Sequence, residues 1–182
     1  MEGSGSVSHV QKITTELRTL ATGVERAQSL AAAADQQAQE IALRAAGAGF
    51  VAVAAGVARV CGAIATIRGG LGGLAGAVGD AAKVAAGVPE QASPGETITG
   101  LTPVQRAVDG IRDQTAATIT HVGEAQQLVV GVLQGGQPGP LLQALEGIKQ
   151  VLVLLVQQTR GPARAAAYLS QAHLPGEGSI RS

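Results

Sequence analysis

Side chains that could ligate a metal ion are few and lie far apart in this sequence. His9, His121 and His173 fall on three different predicted helices, and none has a second histidine or a cysteine three or four residues away. The nearest carboxylate, Glu124, follows His121 by three residues, a spacing that occurs readily by chance. A metal site between helices needs several ligands that converge from facing helices. We therefore predict no metal site.

Groups suited to nucleophilic or acid–base catalysis are equally sparse. No serine lies in a nucleophile elbow, and Asp109 and Asp113 have Arg106 and Arg112 beside them, as on a solvated helix surface. The single cysteine, Cys61, has no partner for an internal disulfide, and we interpret it as a small buried hydrophobic residue. The alternative is a reactive or intermolecular thiol. We predict no catalytic residues, no cofactor and no enzymatic activity.

Glycine-rich stretches are the most distinctive feature of the sequence. Residues 47–52 satisfy the relaxed G-x-G-x-x-A dinucleotide pattern, but a helix is predicted before them where that pattern requires a strand. Residues 69–79 contain no Gly-Lys-Ser/Thr and so form no P-loop. They do contain two G-x-x-x-G pairs, which let helix backbones approach closely. The candidate close-packing face consists of Gly69, Gly72, Gly73 and Gly76.

Composition and charge argue against several classes of ligand. The formal net charge is zero, from 13 basic and 13 acidic residues, so no basic surplus exists to bind nucleic acid. Phe50 and Tyr168 are the only aromatic residues, which leaves few surfaces on which a base or a sugar could stack. We expect a protein partner, with self-association favoured, and neither nucleic acid nor a small-molecule substrate.

Apolar residues recur at alternating steps of three and four along most of the chain, which is the coiled-coil period. The first seam predicts a helix over 9–45 and the second a helix over 50–87, with a turn at Gly47 and Gly49. One continuous helix with a local distortion is the alternative. The second seam consists of Val53, Val57, Val60, Ile64, Ile67, Leu71, Leu74, Val78, Ala81, Ala85 and Val88.

The second half of the chain predicts another helical hairpin. Pro89 should end the second helix, and Gly100 should end one or two helical turns that begin near Ser93. A third helix should begin near Pro103 and break at Gly135 and Gly136. A fourth should begin at Leu141, be interrupted at Gly161-Pro162 and resume as far as Leu174.

These patterns predict an all-α fold of long antiparallel hairpins. They form either one elongated four-helix bundle or a coiled-coil-like assembly of two stacked hairpins, and the pattern alone does not separate these. The predicted units are a flexible N-terminus, a first hairpin, a connector, a second hairpin and a flexible tail: 1–8, 9–88, 89–102, 103–174 and 175–182.

A membrane-spanning segment is the less favoured interpretation. Residues 45–67 are apolar apart from Arg59 and Thr66 and are long enough to cross a bilayer. Arg59 would then lie near the bilayer centre, at a cost of ~2.5–3.5 kcal/mol. Residues 1–8 show no cationic segment followed by an apolar one, so we expect a cytoplasmic protein. Export without a cleaved signal peptide is the alternative.

Two stretches carry a resemblance to a known family: Gly49-Phe50-Val51-Ala52-Val53-Ala54-Ala55-Gly56-Val57-Ala58-Arg59-Val60 and Val129-Val130-Gly131-Val132-Leu133-Gln134-Gly135-Gly136-Gln137-Pro138-Gly139-Pro140. Through them the chain resembles an actinobacterial family of all-helical proteins of unknown function (DUF6244-like). The resemblance implies a helical fold and no particular activity.

The first hairpin also resembles, in architecture, the WXG100 (ESAT-6-like) proteins of type VII secretion, which are dimeric helical hairpins. Gly47 to Phe50 lies where that family has its Trp-x-Gly turn, but this turn contains no tryptophan. The family's export signal is a tyrosine followed four residues later by an acid, whereas Tyr168 is followed by Ala172. The sequence thus predicts a non-enzymatic helical scaffold or interaction protein. An exported type VII-like protein and a membrane-active helical hairpin are the alternatives.

Overall fold

A computed structural model describes residues 4–89, 94–134 and 139–161. Within these ranges the chain forms four helices and no strand: α1 (Ser4–Gly47), α2 (Val51–Ala86), α3 (Pro94–Val132) and α4 (Gly139–Gln158). The all-α fold predicted from the sequence is therefore confirmed.

Each helix packs against two neighbours, so that the four helices close into a ring. α1 contacts α2 and α4, and α3 also contacts α2 and α4. Gly56 lies against Val132 while Gly100 lies against Val88, so α2 and α3 run antiparallel. Gly23 lies against Leu155 and Gly147 against Leu30, so α1 and α4 are antiparallel too. The two hairpins lie side by side in one four-helix bundle, which answers the choice that the sequence left open.

The turn between α1 and α2 is built around Gly49, whose φ of 80° is in the left-handed region. The amide of Phe50 donates to the carbonyl of Ala45 at 2.8 Å, and the amide of Gly49 donates to that of Ala46 at 3.1 Å. This pair of bonds forms a Schellman motif, in which glycine supplies the left-handed residue without a Cβ penalty. Gly47 is the last residue of α1, so Gly49 is the glycine that reverses the chain.

The predicted break at Gly100 is wrong, because α3 is helical from Pro94 and runs through both Gly100 and Pro103. An interior proline costs a helix about 3 kcal/mol or more. The side chains of Leu101 and Val104 are buried to 2% exposure on either side of it, and this burial offsets the cost. Tertiary packing thus overrides a local signal for a helix start.

The other helix ends differ from the predictions by a few residues. α1 begins at Ser4 and α4 at Gly139, where the sequence predicted starts near His9 and at Leu141. Several predictions fall outside the described residues: the break at Gly135 and Gly136, the resumed helix as far as Leu174, and the tail over 175–182.

The core pairs small side chains on α1 with large ones on α4. The core face of α1 changes from large residues to alanine after Val24, and the antiparallel contacts place α4 beside this alanine half. Small residues facing large ones fill the space between helices at interior density. The alanines are Ala27, Ala31, Ala34 and Ala38, and the large residues are Leu141, Leu145, Ile148 and Leu152.

Polar groups inside the bundle are mostly satisfied within their own helix. The buried Thr115 and Thr118 hydroxyls donate to carbonyls four residues earlier, at 2.6 and 2.8 Å. Glu16 is an exception, because its buried Oε2 has no hydrogen-bond partner among the described residues. Desolvation raises the pKa of this carboxyl, and the charge of Lys12 partly opposes that effect.

Glu16→Gln should make the stability of the protein less sensitive to pH. Because the folded-state pKa of Glu16 is raised, the folded protein binds this proton more tightly than the unfolded chain does. Its contribution is therefore fully present below the usual pKa of 4.5 and is lost as pH rises through the folded-state value. Urea unfolding should show Glu16→Gln gaining stability over the native protein from acidic to neutral pH.

Glu25→Gln is the matched control, because it removes the same charge from an exposed position on the same helix. Its stability difference from the native protein should change less with pH over this range. Equal pH dependence of the two variants would contradict the assignment of the effect to Glu16.

Candidate interaction surface

The buried face of α2 is the apolar seam that the sequence predicted. Side chains from Val57 to Ala85 at alternating steps of three and four are buried, and Val53 at the start of the seam is half-buried. Val88, just beyond the helix, is 7% exposed. The seam therefore fixes which side of α2 points into the bundle.

The opposite face of α2 carries almost no side chains. The residue two positions before a core residue lies about 200° around the helix from it, on the opposite side. For each core residue from Val57 to Ala81, that preceding residue is an exposed glycine or alanine. A Cβ atom added to any of the five glycines in this row would meet no atom of the described part of the chain within 4 Å. We call this row the outer stripe: Ala55, Ala58, Gly62, Ala65, Gly69, Gly72, Gly76 and Gly79.

Three other glycines of α2 face α3. A Cβ on Gly56 would lie 2.6 Å from Cγ1 of Val132, and one on Gly70 would lie 2.9 Å from Oγ1 of Thr118. A Cβ on Gly73 would collide with the amide group of Gln114, which donates to the carbonyl of Gly70 at 3.5 Å. These glycines allow α2 and α3 to approach each other closely.

The predicted close-packing face is thus divided between two surroundings. Gly69, Gly72 and Gly76 lie on the outer stripe, open to the outside of the bundle. Gly73, although exposed, is at the border with α3 and leaves room for Gln114. The spacing in the sequence assigned all four residues to one face, whereas the packing of α3 gives Gly73 surroundings different from those of the other three.

Charged residues line both edges of the outer stripe. On the α1 side, Arg68 forms an ion pair of 3.1 Å with Asp35, which also accepts a hydrogen bond from Gln39. On the other edge are Arg59 and Asp80, both exposed and without an ion-pair partner among the residues that the structure describes. Lys83, two residues before the core position of Ala85 and so in line with the stripe, is exposed and likewise unpaired among those residues. The stripe therefore has three such charges near its ends, two basic and one acidic.

Cys61 lies at the α1 edge of the same helix and is half-buried against the core. Burial, together with the negative charge of Asp35, raises the pKa of its thiol. A raised pKa disfavours the reactive thiolate. Cys61 is thus half-buried, not fully buried as predicted, and its setting does not favour a reactive thiol.

A second surface lies between α2 and α3 near the turn end of the bundle. It is a groove of about 680 Å³ with apolar walls that include Val53, Leu128 and Val132, and with Arg59 and Glu124 at its edges. The same end of the bundle exposes several large apolar side chains: Leu43, Phe50, Val51 and Val130. The groove is open and has only two charged residues in its lining, so it suits apolar contact better than catalysis.

The residues first considered for chemistry remain dispersed. His121 Nδ1 lies 3.5 Å from Glu124 Oε2, and Arg112 lies 2.7 Å from Asp109, in two partly exposed surface pairs. No group of three or more His, Cys, Asp or Glu side chains that could hold a metal ion occurs among the described residues. His173 lies outside those residues.

Two helices, α2 and α4, are long and apolar enough to cross a membrane by length and composition alone. Each of these helices contains an apolar segment of 18 residues, of which only 28% in α2 and 33% in α4 is buried inside the bundle. The core helices of soluble bundles satisfy the same criteria, so length and hydropathy do not distinguish the two environments.

The structure is a four-helix bundle in which the outward face of α2 carries a row of glycine and alanine. The model of a family of unknown function (DUF6244) matches residues 92–174, which confirms the resemblance to that family over α3 and α4. The match includes the stretch from Val129 to Pro140 and leaves out that from Gly49 to Val60. No curated protein and no solved structure matches the chain. The outer stripe therefore lies outside the matched region.

Gly69→Ala and Gly70→Ala, at adjacent positions, should have different effects on stability. Alanine at Gly69 meets open space and should stabilise the helix by about 0.5–1 kcal/mol. Alanine at Gly70 gains the same propensity but crowds the buried Thr118, and overpacking of this kind costs about 1–3 kcal/mol. Urea unfolding of dilute protein should show that Gly70→Ala is less stable than Gly69→Ala by about 1–3 kcal/mol, the cost of overpacking. Equal stabilities would contradict the close contact of α2 with α3.

Proposed function

We propose that this protein is a non-enzymatic helical scaffold, an interaction protein that associates with itself through the exposed surface of its bundle. The observation that carries the proposal is the outer stripe of α2. Its residues are exposed, lie in one row at coiled-coil spacing and carry no side chain larger than a methyl group. Such a surface suits the close approach of a helix from another molecule.

The energetics of α2 support this proposal. Glycine is about 1 kcal/mol less favourable than alanine at each interior position of a helix. At Gly56, Gly70 and Gly73 the contact with α3 explains the absence of a side chain. At the five glycines of the outer stripe no group of the described residues occupies the space that a Cβ would fill. An external helix would supply the compensating contact.

The native mass of the protein tests this proposal. Sedimentation velocity of the full chain, from low micromolar to submillimolar concentration, should show a species of at least twice the chain mass of 18.0 kDa. The oligomer should become more populated as concentration rises, as mass action requires. A monomer at every concentration would overturn the proposal.

A membrane-active helical hairpin is the second candidate, favoured by the low burial of the apolar windows in α2 and α4 and by the exposed Phe50 and Val51. Fractionation of the cells that make the protein separates the candidates. The scaffold proposal expects recovery from the cytosol. Recovery from carbonate-washed membranes would favour the hairpin, and recovery from the medium without lysis would favour the type VII-like alternative.

A further inference from the structure

We propose that the turn between α1 and α2 inserts into the surface layer of a phospholipid membrane. The inserting part, which we call the tip, is residues 41–58: the end of α1, the turn at Gly49 and the start of α2. Such insertion goes beyond the proposed self-association and does not depend on it. It also differs from a membrane-spanning hairpin, because the tip enters one face of the membrane without crossing it.

The tip extends beyond the other two helices. Because Gly147 of α4 lies against Leu30 of α1, α4 begins roughly 13 Å short of the end of α1, at 1.5 Å per residue. Gly56 of α2 lies against Val132, the last residue of α3, so α2 begins roughly 8 Å beyond the end of α3. Among the described residues, this end of the bundle is therefore a projecting pair of helices.

Apolar side chains cover the tip on every side. Leu43 and Val51 lie two residues from the core-facing positions of α1 and α2, so they point outward, and Phe50 lies at the turn between the helices. These three have the highest exposed fractions of any large apolar side chains that the structure describes, at 74%, 74% and 64%. On the inner side, Ile41 and Val53 continue the core seams but are only half-buried. A partner that covers one face would leave part of this surface in water, whereas lipid surrounds a projecting tip.

The tip is almost free of charge. Residues 41–58 contain a single charged side chain, that of Arg44. It is 80% exposed and pairs with Glu40 at 3.5 Å. A long arginine side chain keeps its apolar stem in lipid and extends its guanidinium to the boundary with water, where it can donate hydrogen bonds to a lipid phosphate. Arg44 is therefore compatible with an inserted tip.

The uncharged length of the tip matches a shallow depth of insertion. Glu40 on α1 and Arg59 on α2 bound this length, at roughly 11–12 Å from the helix ends. The nearest charges on α3 and α4, Glu124 and Glu146, lie farther from the tip. Helices that attach to a membrane surface bury their apolar residues about 5–10 Å deep. Crossing the membrane would require an apolar length of about 30 Å.

A second copy of the chain is a poorer match for the tip. The end of two helices, each about 10–12 Å across, measures roughly 200 Å², whereas a stable dimer buries about 800 Å² on each partner. End-to-end contact would also leave the outward-pointing Leu43 and Val51 in water. A lipid layer needs no complementary shape, so even a small tip can attach weakly and reversibly.

Phe50→Trp tests the insertion and its depth, because the chain contains no tryptophan of its own. When this full-length variant is mixed with phosphatidylcholine–phosphatidylglycerol vesicles, its emission should shift to the blue. Lipids brominated near the headgroup end of the acyl chain should quench it most. Leu154→Trp is the control, because Leu154 is exposed on α4, and the contact of Leu155 with Gly23 places it roughly 35 Å from the end of α1. The control emission should not change.

Leu43→Glu and Leu154→Glu are a matched pair, because each replaces an exposed leucine of a helix by a charged residue. Leu43→Glu should weaken partition into the same vesicles about tenfold or more, since it removes one of the few apolar anchors and puts a carboxylate in its place. Leu154→Glu should bind as the native chain does. Co-sedimentation with vesicles measures the partition, and circular dichroism should show native helix content in both variants.

The results separate insertion of the tip from its alternatives. Shallow quenching of Phe50→Trp, with weaker binding by Leu43→Glu alone, supports insertion. A native chain that binds no vesicles, or equal binding by the two glutamate variants, overturns it, and quenching strongest at the bilayer centre overturns the shallow depth. If Leu43→Glu instead dissociates a native oligomer in the absence of lipid, the tip is a contact between copies and this inference fails while self-association stands. A monomer that binds vesicles through the tip overturns only the self-association.

Discussion

The close approach of α2 to α3 is the contact on which the geometry of the bundle depends. Gly56, Gly70 and Gly73 leave room for the side chains of Val132, Thr118 and Gln114 of α3. A side chain at any of these glycines would collide with those groups and force the two helices apart. Gln114 uses the space to reach the carbonyl of Gly70, so a polar contact joins two helices across an otherwise apolar junction.

The same glycines make α2 dependent on its neighbours. Eight glycines in a helix of 36 residues lower its intrinsic stability by about 1 kcal/mol each relative to alanine. Burial of a large apolar side chain contributes about 1.5–3 kcal/mol, and the seam from Val57 to Ala85 supplies several such side chains. The helix is therefore stable because it is packed. Its outer face can remain bare of side chains without loss of the fold.

The rest of the bundle follows the same rule that tertiary burial outweighs local preference. α3 continues through Gly100 and Pro103, two residues that disfavour an interior helical position, because Leu101 and Val104 are buried beside them. α4 is short, but its leucines fill the space that the alanines of α1 leave open. At Gly49, within the described part of the chain, a local requirement does decide the path, since the left-handed turn there needs a residue without a Cβ.

The sequence by itself determined the all-α class, the buried face of each helix and the position of the first turn, because the three–four spacing of apolar residues shows which side of a helix is removed from water. It placed the start of α3 wrongly, because the signals at Gly100 and Pro103 are local and the burial that overrides them is not. It did not determine which flank of α2 faces α3 and which faces outward. Gly72 and Gly73 are adjacent glycines with no side chain to record their surroundings, and only the position of α3 makes one a contact and the other a free surface. The choice of one bundle over two stacked hairpins, and the pairing of Arg68 with Asp35, likewise came from contacts between distant segments, which helical periodicity does not encode.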